Sequence, residues 1–407
     1  MNFCISLDFM DNIKVNIWNG GNRLKRRLVS IILVLFVSII SFRSFADADL
    51  NINAKSAILM DVNTGEIIYN LNEHDRLSPA SITKIMTLLL GAEAVESGRI
   101  SLDDKVIITE HASRMGGSQV YLEPGETQLV EDLFRAIAIR SANDASVALA
   151  EFISGSEEAF VNLMNQRAQK LGMENTFFSN ASGLPDSNHY TSSYDVALMS
   201  RELLKHSMVS EWLTTYIYDM KVGKNKSSTQ TMVNTNRLIK EYEGTTGIKT
   251  GSTNEAGFCL SASAMRGNLE LIAVVMGSNS SQIRFSETKR MLDFGFANYE
   301  SINIGKKGDL MATLPVEKGK VTEVDIVLSR DSYVLLPKGE KGNISQDVIL
   351  PDVIKEPMAA GEVIGELVIV LDGKEVDKIK LIIKSDIEKA NLFNMINRVL
   401  KGYFKGI

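Results

Sequence analysis

The 407-residue chain has few of the side chains that most readily announce a staple or a cofactor. Its two cysteines, Cys4 and Cys259, cannot build a disulfide framework. Its four histidines, His74, His111, His189 and His206, are scattered without metal-ligand spacing, and HExxH is absent, so no metal is expected. There is no Walker loop and no GxGxxG, and no cofactor is expected. A net charge of −6 leaves no basic footprint and excludes nucleic acid as a partner. Seven prolines and the lack of any low-complexity tract argue against a disordered chain. The longest apolar run, Leu28 to Phe42, is about 15 residues, short of the ~20 that a spanning helix needs. What remains is a globular composition, 44% hydrophobic and 23% charged, in a chain long enough for two domains with appendages.

Around that apolar run the N-terminus reads as an export signal. Arg23, Lys25, Arg26 and Arg27 precede it, and Ser44-Phe45-Ala46 supplies small residues for cleavage after Ala46. Cleavage leaves Cys259 alone, in Phe258-Cys259-Leu260, where it reads as a buried core thiol. Two strands are expected over Ser56–Met60 and Glu66–Tyr69, joined by Asp61-Val62-Asn63-Thr64-Gly65. A helix is expected to open at Ser78-Pro79-Ala80-Ser81, with Ile85, Met86, Leu88 and Leu89 as its apolar stripe. Val130 to Lys205 looks largely helical. Strands Phe258–Ala264 and Leu269–Met276 then flank the turn Arg266-Gly267-Asn268, before a helix from Ser281 to Phe294. The class is therefore α+β.

Near Ser301 the pattern changes to short alternating strands with glycine-bearing turns, among them Leu371-Asp372-Gly373-Lys374. The expected organisation is a signal over 1–46, a catalytic domain over 47–300, a small all-β domain over 301–384 and an amphipathic helix over 385–407. In that last stretch Ile387, Leu392, Phe393, Ile396, Val399 and Leu400 recur at helical spacing, interleaved with Lys389, Arg398, Lys401 and Lys405. Such a helix suits the surface of a membrane.

The chemistry rests on three short motifs. Ser81-Ile82-Thr83-Lys84 is an SxxK pair, and residues three apart on a helix share a face. A serine hydroxyl is a poor nucleophile unless a base takes its proton, and a lysine is a base only when neutral. Burial or a second cation nearby would lower its pKa. Lys249-Thr250-Gly251 offers that cation in Lys249. In the same segment Thr250 offers a hydroxyl to a carboxylate, and Gly251 lets a substrate backbone lie against the strand. The N–H of Ser252, with that of Ser81, is a candidate oxyanion hole. Ser141-Ala142-Asn143 adds Ser141 as a proton relay between Lys84 and the leaving group, and Asn143 as a binder of a substrate amide. SxxK alone is weak: Ser286-Glu287-Thr288-Lys289 repeats the spacing on an expected surface helix. All three motifs in this order form a far rarer set.

That set resembles the low-molecular-mass penicillin-binding proteins that act as D-alanyl-D-alanine carboxypeptidases, within the serine β-lactamase and penicillin-binding superfamily. Phe160 to Asn165, Leu171-Gly172-Met173, Gly183-Leu184-Pro185-Asp186, His189-Tyr190-Thr191 and Gly244 to Ala264 extend the likeness. The resemblance implies a transpeptidase-like catalytic domain, an antiparallel sheet with helices, followed by the small β domain and anchor helix. It implies an acyl-enzyme on Ser81, with Lys84 as base, Ser141 and Asn143 assisting, and Lys249, Thr250 and Ser252 holding the substrate end. Arg284 matches a position associated with the terminal carboxylate. The implied partners are peptidoglycan stem peptides ending in D-Ala-D-Ala, β-lactams as covalent inhibitors and the membrane surface. The implied location is the periplasmic face of the cytoplasmic membrane, peripherally bound. Ala142 stands where glycine is usual, and Ser252 where histidine is common. The competing readings are a DD-endopeptidase acting on cross-links, a β-lactamase-like hydrolase, and a non-catalytic peptidoglycan binder.

Overall fold

The computed structural model describes residues 50–355 and 357–391. The export segment 1–46 and the anchor helix beyond Asn391 lie outside the described residues.

Five antiparallel strands form the first sheet, in the order Ile67–Leu71, Ser56–Asp61, Leu269–Ser278, Gly257–Arg266, Thr245–Thr253. Its central strands are apolar on both faces because both are covered. Ile58, Met60, Ile272, Val274 and Met276 face a lobe of helices. Ala57, Leu59, Leu271, Ala273 and Val275 alternate with them and pack on Met291, Leu292 and Phe296 of the helix Ser281–Asn298. The expected strands and that helix are present, most of them longer than their apolar residues alone indicate.

The stretch read as largely helical divides into Val130–Arg135, a π-helical segment Ala136–Arg140, and helices Asn143–Ser154, Glu157–Lys170 and Ser193–Leu204. Between the last two lies a loop with no helix. Asn180 folds it: its Oδ1 accepts from the N–H groups of Ser182 (3.2 Å), Gly183 (2.7 Å) and Leu184 (3.1 Å). A side chain that satisfies successive backbone donors competes with helix formation, and counting apolar positions does not detect it.

The C-terminal domain is a five-stranded antiparallel sheet ordered Leu310–Pro315, Glu323–Leu328, Lys374–Ile383, Val363–Leu371, Ile344–Ile349. Leu371 pairs with Lys374, so Asp372 (φ 51°) and Gly373 (φ 81°) alone make the turn, both in the left-handed region that a tight hairpin demands. The strand Ser332–Pro337 pairs with Tyr299–Gly305 and ties the domains together: Val334 and Leu336 enter the β core, while Leu335 joins the core under the catalytic sheet. The expected start of the terminal helix at Ser385 is corrected. Ile387 is buried at 2% exposure and bridges to Met358, and Lys389 bridges to Gly319, so residues 385–391 close the β domain. Among the described residues no helix is long and apolar enough to cross a membrane.

Candidate active site

Ser81 sits on a tight 3₁₀ turn, Ala80–Thr83, that runs straight into the helix Lys84–Glu96. In 3₁₀ geometry residues three apart eclipse, more closely than on the α-helix expected from sequence. Lys84 Nζ accordingly lies 3.2 Å from Ser81 Oγ. The helix is buried for most of its length between the sheet and the helical lobe, and Lys84 is 0% exposed. Burial drives its pKa well below the usual lysine value; the Lys249 charge pushes the same way and Asp144 opposes it.

The contacts of Lys84 accommodate a neutral amine. Nζ reaches Asn143 Oδ1 at 2.6 Å and the Ser182 carbonyl at 2.5 Å, besides Ser81 Oγ. The first two are obligate acceptors, whereas a hydroxyl can donate. A neutral amine satisfies all three by giving its two hydrogens to Asn143 and Ser182 and turning its lone pair toward the Ser81 hydroxyl. That is the arrangement of a general base.

Asn143 opens the helix Asn143–Ser154, and its amide is used at both ends, since Nδ2 donates to the Gly116 carbonyl at 2.6 Å. In this arrangement its amide holds Lys84, and these two contacts use one lone pair of Oδ1 and one N–H of Nδ2, leaving the other N–H for the substrate amide expected there. Ser141 is left-handed (φ 63°), and its buried Oγ has no hydrogen-bond partner. It is not among the contacts of Lys84, whose N–H groups are taken by carbonyl oxygens. Ala142 has an ordinary φ of −66°, and its methyl is in the core, so glycine is not required there.

The third motif lies on the edge strand Thr245–Thr253. Lys249 is 1% exposed, and burial, with Arg284 nearby, lowers its pKa to about 7. Gly251 also serves a contact that the sequence did not indicate. A Cβ there would stand 3.0 Å from the backbone nitrogens of Ser81 and Ile82 and from the Pro79 carbonyl. Its bare Cα lets the strand close on the nucleophile turn. The Thr250 hydroxyl bonds to Thr235 Oγ1 at 2.7 Å, which brings Thr235 into the site, and Ser252 is exposed beside it. Arg284 is buried, and its Nη1 donates to the carbonyls of Gly251 (3.0 Å) and Cys259 (3.1 Å). Its guanidinium thus braces the strand from behind, a contact that its sequence neighbourhood, a helix of mixed polarity, did not indicate.

Sequence reasoning passed over the loop around residues 177–191, which presses on the nucleophile helix. Besides Ser182 on Lys84, the Ala181 carbonyl accepts from Thr87 Oγ1 at 2.7 Å, and His189 Nε2 lies 2.9 Å from Thr83 Oγ1. The signal in the sequence is Gly183-Leu184-Pro185 and His189, which entered only as part of the resemblance. The second SxxK pair is not a site: Ser286 bonds to its own helix and Lys289 to Glu241. Cys259 is buried and its thiol pKa is raised to about 11 by burial, consistent with a core thiol. Among the described residues no group of His, Cys, Asp or Glu is placed to hold a metal.

The comparisons agree with this geometry. Residues 43–280 match the family model described as D-alanyl-D-alanine carboxypeptidase, and residues 299–389 match that of the penicillin-binding protein 5 C-terminal domain. The chain is 41% identical over 389 residues to the D-alanyl-D-alanine carboxypeptidase DacF of Bacillus subtilis, covering 94% of this chain and 100% of that protein. It is 33% identical to DacA of Escherichia coli, over 87% of this chain and 88% of the relative. The crystal structure of penicillin-binding protein 5 from Haemophilus influenzae superposes with a TM-score of 0.66 at 34% identity, covering 83% of this chain and 98% of that one. The chain belongs to the D-alanyl-D-alanine carboxypeptidase family of serine peptidases.

Proposed function

We propose that the protein is a serine-type D-Ala-D-Ala carboxypeptidase that removes the terminal D-alanine from peptidoglycan pentapeptides. The observation that carries this reading is the fully buried Lys84, its Nζ held between two carbonyl acceptors and the Ser81 hydroxyl. Lys84 takes the proton of Ser81 as Oγ attacks the carbonyl of the penultimate D-alanine. The N–H groups of Ser81 and Ser252 receive the developing oxyanion. As the C–N bond breaks, the D-alanine amine takes up the proton, relayed through the unpartnered hydroxyl of Ser141. Lys84, neutral again, then activates a water that hydrolyses the ester on Ser81. Lys249, the Thr250–Thr235 hydroxyl pair and Ser252 surround the terminal carboxylate. Arg284 contributes positive potential from behind the strand and fixes the Gly251 carbonyl.

A β-lactam enters the same sequence, but its amide is cyclic, so the leaving amine stays tethered and the ester on Ser81 persists. The protein acts after export, at the outer face of the cytoplasmic membrane, held there by the amphipathic segment that follows the β domain. Release of D-alanine from a pentapeptide, assayed beside cleavage of cross-linked dimers, tests the activity. Rapid D-alanine release with slow dimer cleavage is expected. Preferential dimer cleavage would make the protein an endopeptidase, and loss of neither bond would leave it a binder.

A further inference from the structure

The loop around residues 177–191 does not touch Ser81 Oγ in these contacts, yet it is fastened to the nucleophile turn and helix at Thr83, Lys84 and Thr87. The Thr83 contact contains a group whose protonation the geometry settles. His189 is 4% exposed and stands edge-on to Phe178, with ring centroids 5.7 Å apart. The backbone N–H of Ser179 donates to its Nδ1 at 3.4 Å, so Nδ1 carries no hydrogen. A neutral imidazole then has its hydrogen on Nε2, and Nε2 donates to Thr83 Oγ1 at 2.9 Å. The Thr83 hydroxyl in turn gives its own hydrogen to the Ala80 carbonyl at 2.9 Å. Each donor in the chain Ser179, His189, Thr83 meets one acceptor, and no hydrogen is left without a place. Burial agrees, lowering the His189 pKa to about 4.

The end of this chain is a strained residue of the site. Ala80, immediately before the nucleophile, has φ 47°, a conformation that costs an alanine about 1 kcal/mol or more. Non-glycine residues persist there only where the surroundings over-determine them. The Ala80 carbonyl belongs to the peptide unit that supplies the N–H of Ser81, one of the two oxyanion donors. Whatever holds that carbonyl sets both the direction of this donor and the place of Ser81 Oγ beside Lys84.

We propose that His189 is a positioning residue for acylation, whose Nε2–H fixes the Thr83 hydroxyl on the Ala80 carbonyl and so locks the left-handed turn that aims Ser81 at Lys84. It deepens the proposed acyl transfer at Ser81 and rests on that reading. His189 exchanges no proton with the substrate. A displacement of about 1 Å in a reacting group costs on the order of 100-fold in rate, and loss of one link in this chain is enough to allow it.

The test is the second-order acylation rate of the folded full-length chain with a fluorescent penicillin, measured with thermal denaturation for each variant. His189→Gln keeps an N–H donor near the Nε2 position, whereas His189→Leu does not. The expected result is acylation about 10–100-fold slower in H189L, with H189Q within about threefold of the parent. Thr83→Val removes the middle link, so T83V should match H189L, and the double variant should be no slower than either single one. H189Q as slow as H189L while both are folded, or multiplicative losses in the double variant, would overturn the inference. If H189L does not fold, Thr83→Ser against T83V carries the same comparison, since only serine keeps the hydroxyl. A parent chain that fails to acylate at Ser81 would instead overturn the proposed function.

Discussion

Replacing Gly183 by alanine should damage acylation far more than stability. Gly183 has φ +80°, and an added Cβ would lie 1.9 Å from the Ala80 carbonyl oxygen and 2.9 Å from Thr83 Oγ1. Contacts of this kind below 3.0 Å are essentially never tolerated, so either the loop or the nucleophile turn must retreat by at least about 1 Å. The loop is held by Asn180 and by the Lys84 and Thr87 contacts, so part of the movement falls on the Ala80–Ser81 peptide. The left-handed backbone adds about 1 kcal/mol for any alanine. Gly172 provides the control: its φ is +74°, but nothing lies within 4 Å of an added Cβ. Gly172→Ala therefore carries the backbone strain without the collision. Stopped-flow acylation by a fluorescent penicillin, with urea denaturation alongside, should find G183A slower by about 100-fold or more and G172A at the parent rate. Acylation by folded G183A at the parent rate would refute the view that this loop sets the nucleophile geometry.

Two further outcomes follow from the electrostatics and from the end of the β domain. Acylation requires neutral Lys84, so its rate rises with pH through the Lys84 pKa, which the Lys249 cation lowers. Lys249→Met removes that charge, raises the Lys84 pKa and should shift the rising limb to higher pH, whatever the height of the plateau; an unmoved or acid-shifted limb contradicts the coupling. Ending the chain after Asn391 should release the exported protein from membranes and leave the β domain intact. Ending it before Ser385 removes Ile387 from the β core and should cost about 2 kcal/mol or more as well, read by denaturation. Continued sedimentation with lipid after the shorter deletion would contradict the anchor.

Much of this was legible in the sequence because it depends on local spacing. Ser81 and Lys84 meet because they are three apart on a helical turn, and the Asp372-Gly373 hairpin follows from two residues that tolerate positive φ. The sheet was legible because its central strands are apolar on both faces. The edge strands Leu310–Pro315 and Ile344–Ile349 were not, since neither has a fully buried residue and so neither needs a regular apolar alternation. The site was least legible where the deciding contact joins distant segments. Asn143 was legible as a site residue, but its contacts with Lys84 and the Gly116 carbonyl were not. Gly251 read as room for a substrate backbone, and nothing local showed that its bare Cα also admits the Ser81 turn. Arg284 entered only through the resemblance, because nothing nearby in sequence reveals that Gly251 and Cys259 present it with carbonyls. Ser182 acts only through its backbone carbonyl, which no side-chain motif can record.

The central claim is that Ser81, activated by a neutral Lys84, is the acylated residue. Mass-spectrometric mapping of the peptide modified by benzylpenicillin tests it most directly, on the parent chain and on Ser81→Ala. The account predicts one adduct, on the peptide containing Ser81, and none in the folded S81A protein. An adduct on another serine, or equal labelling of S81A, would contradict it.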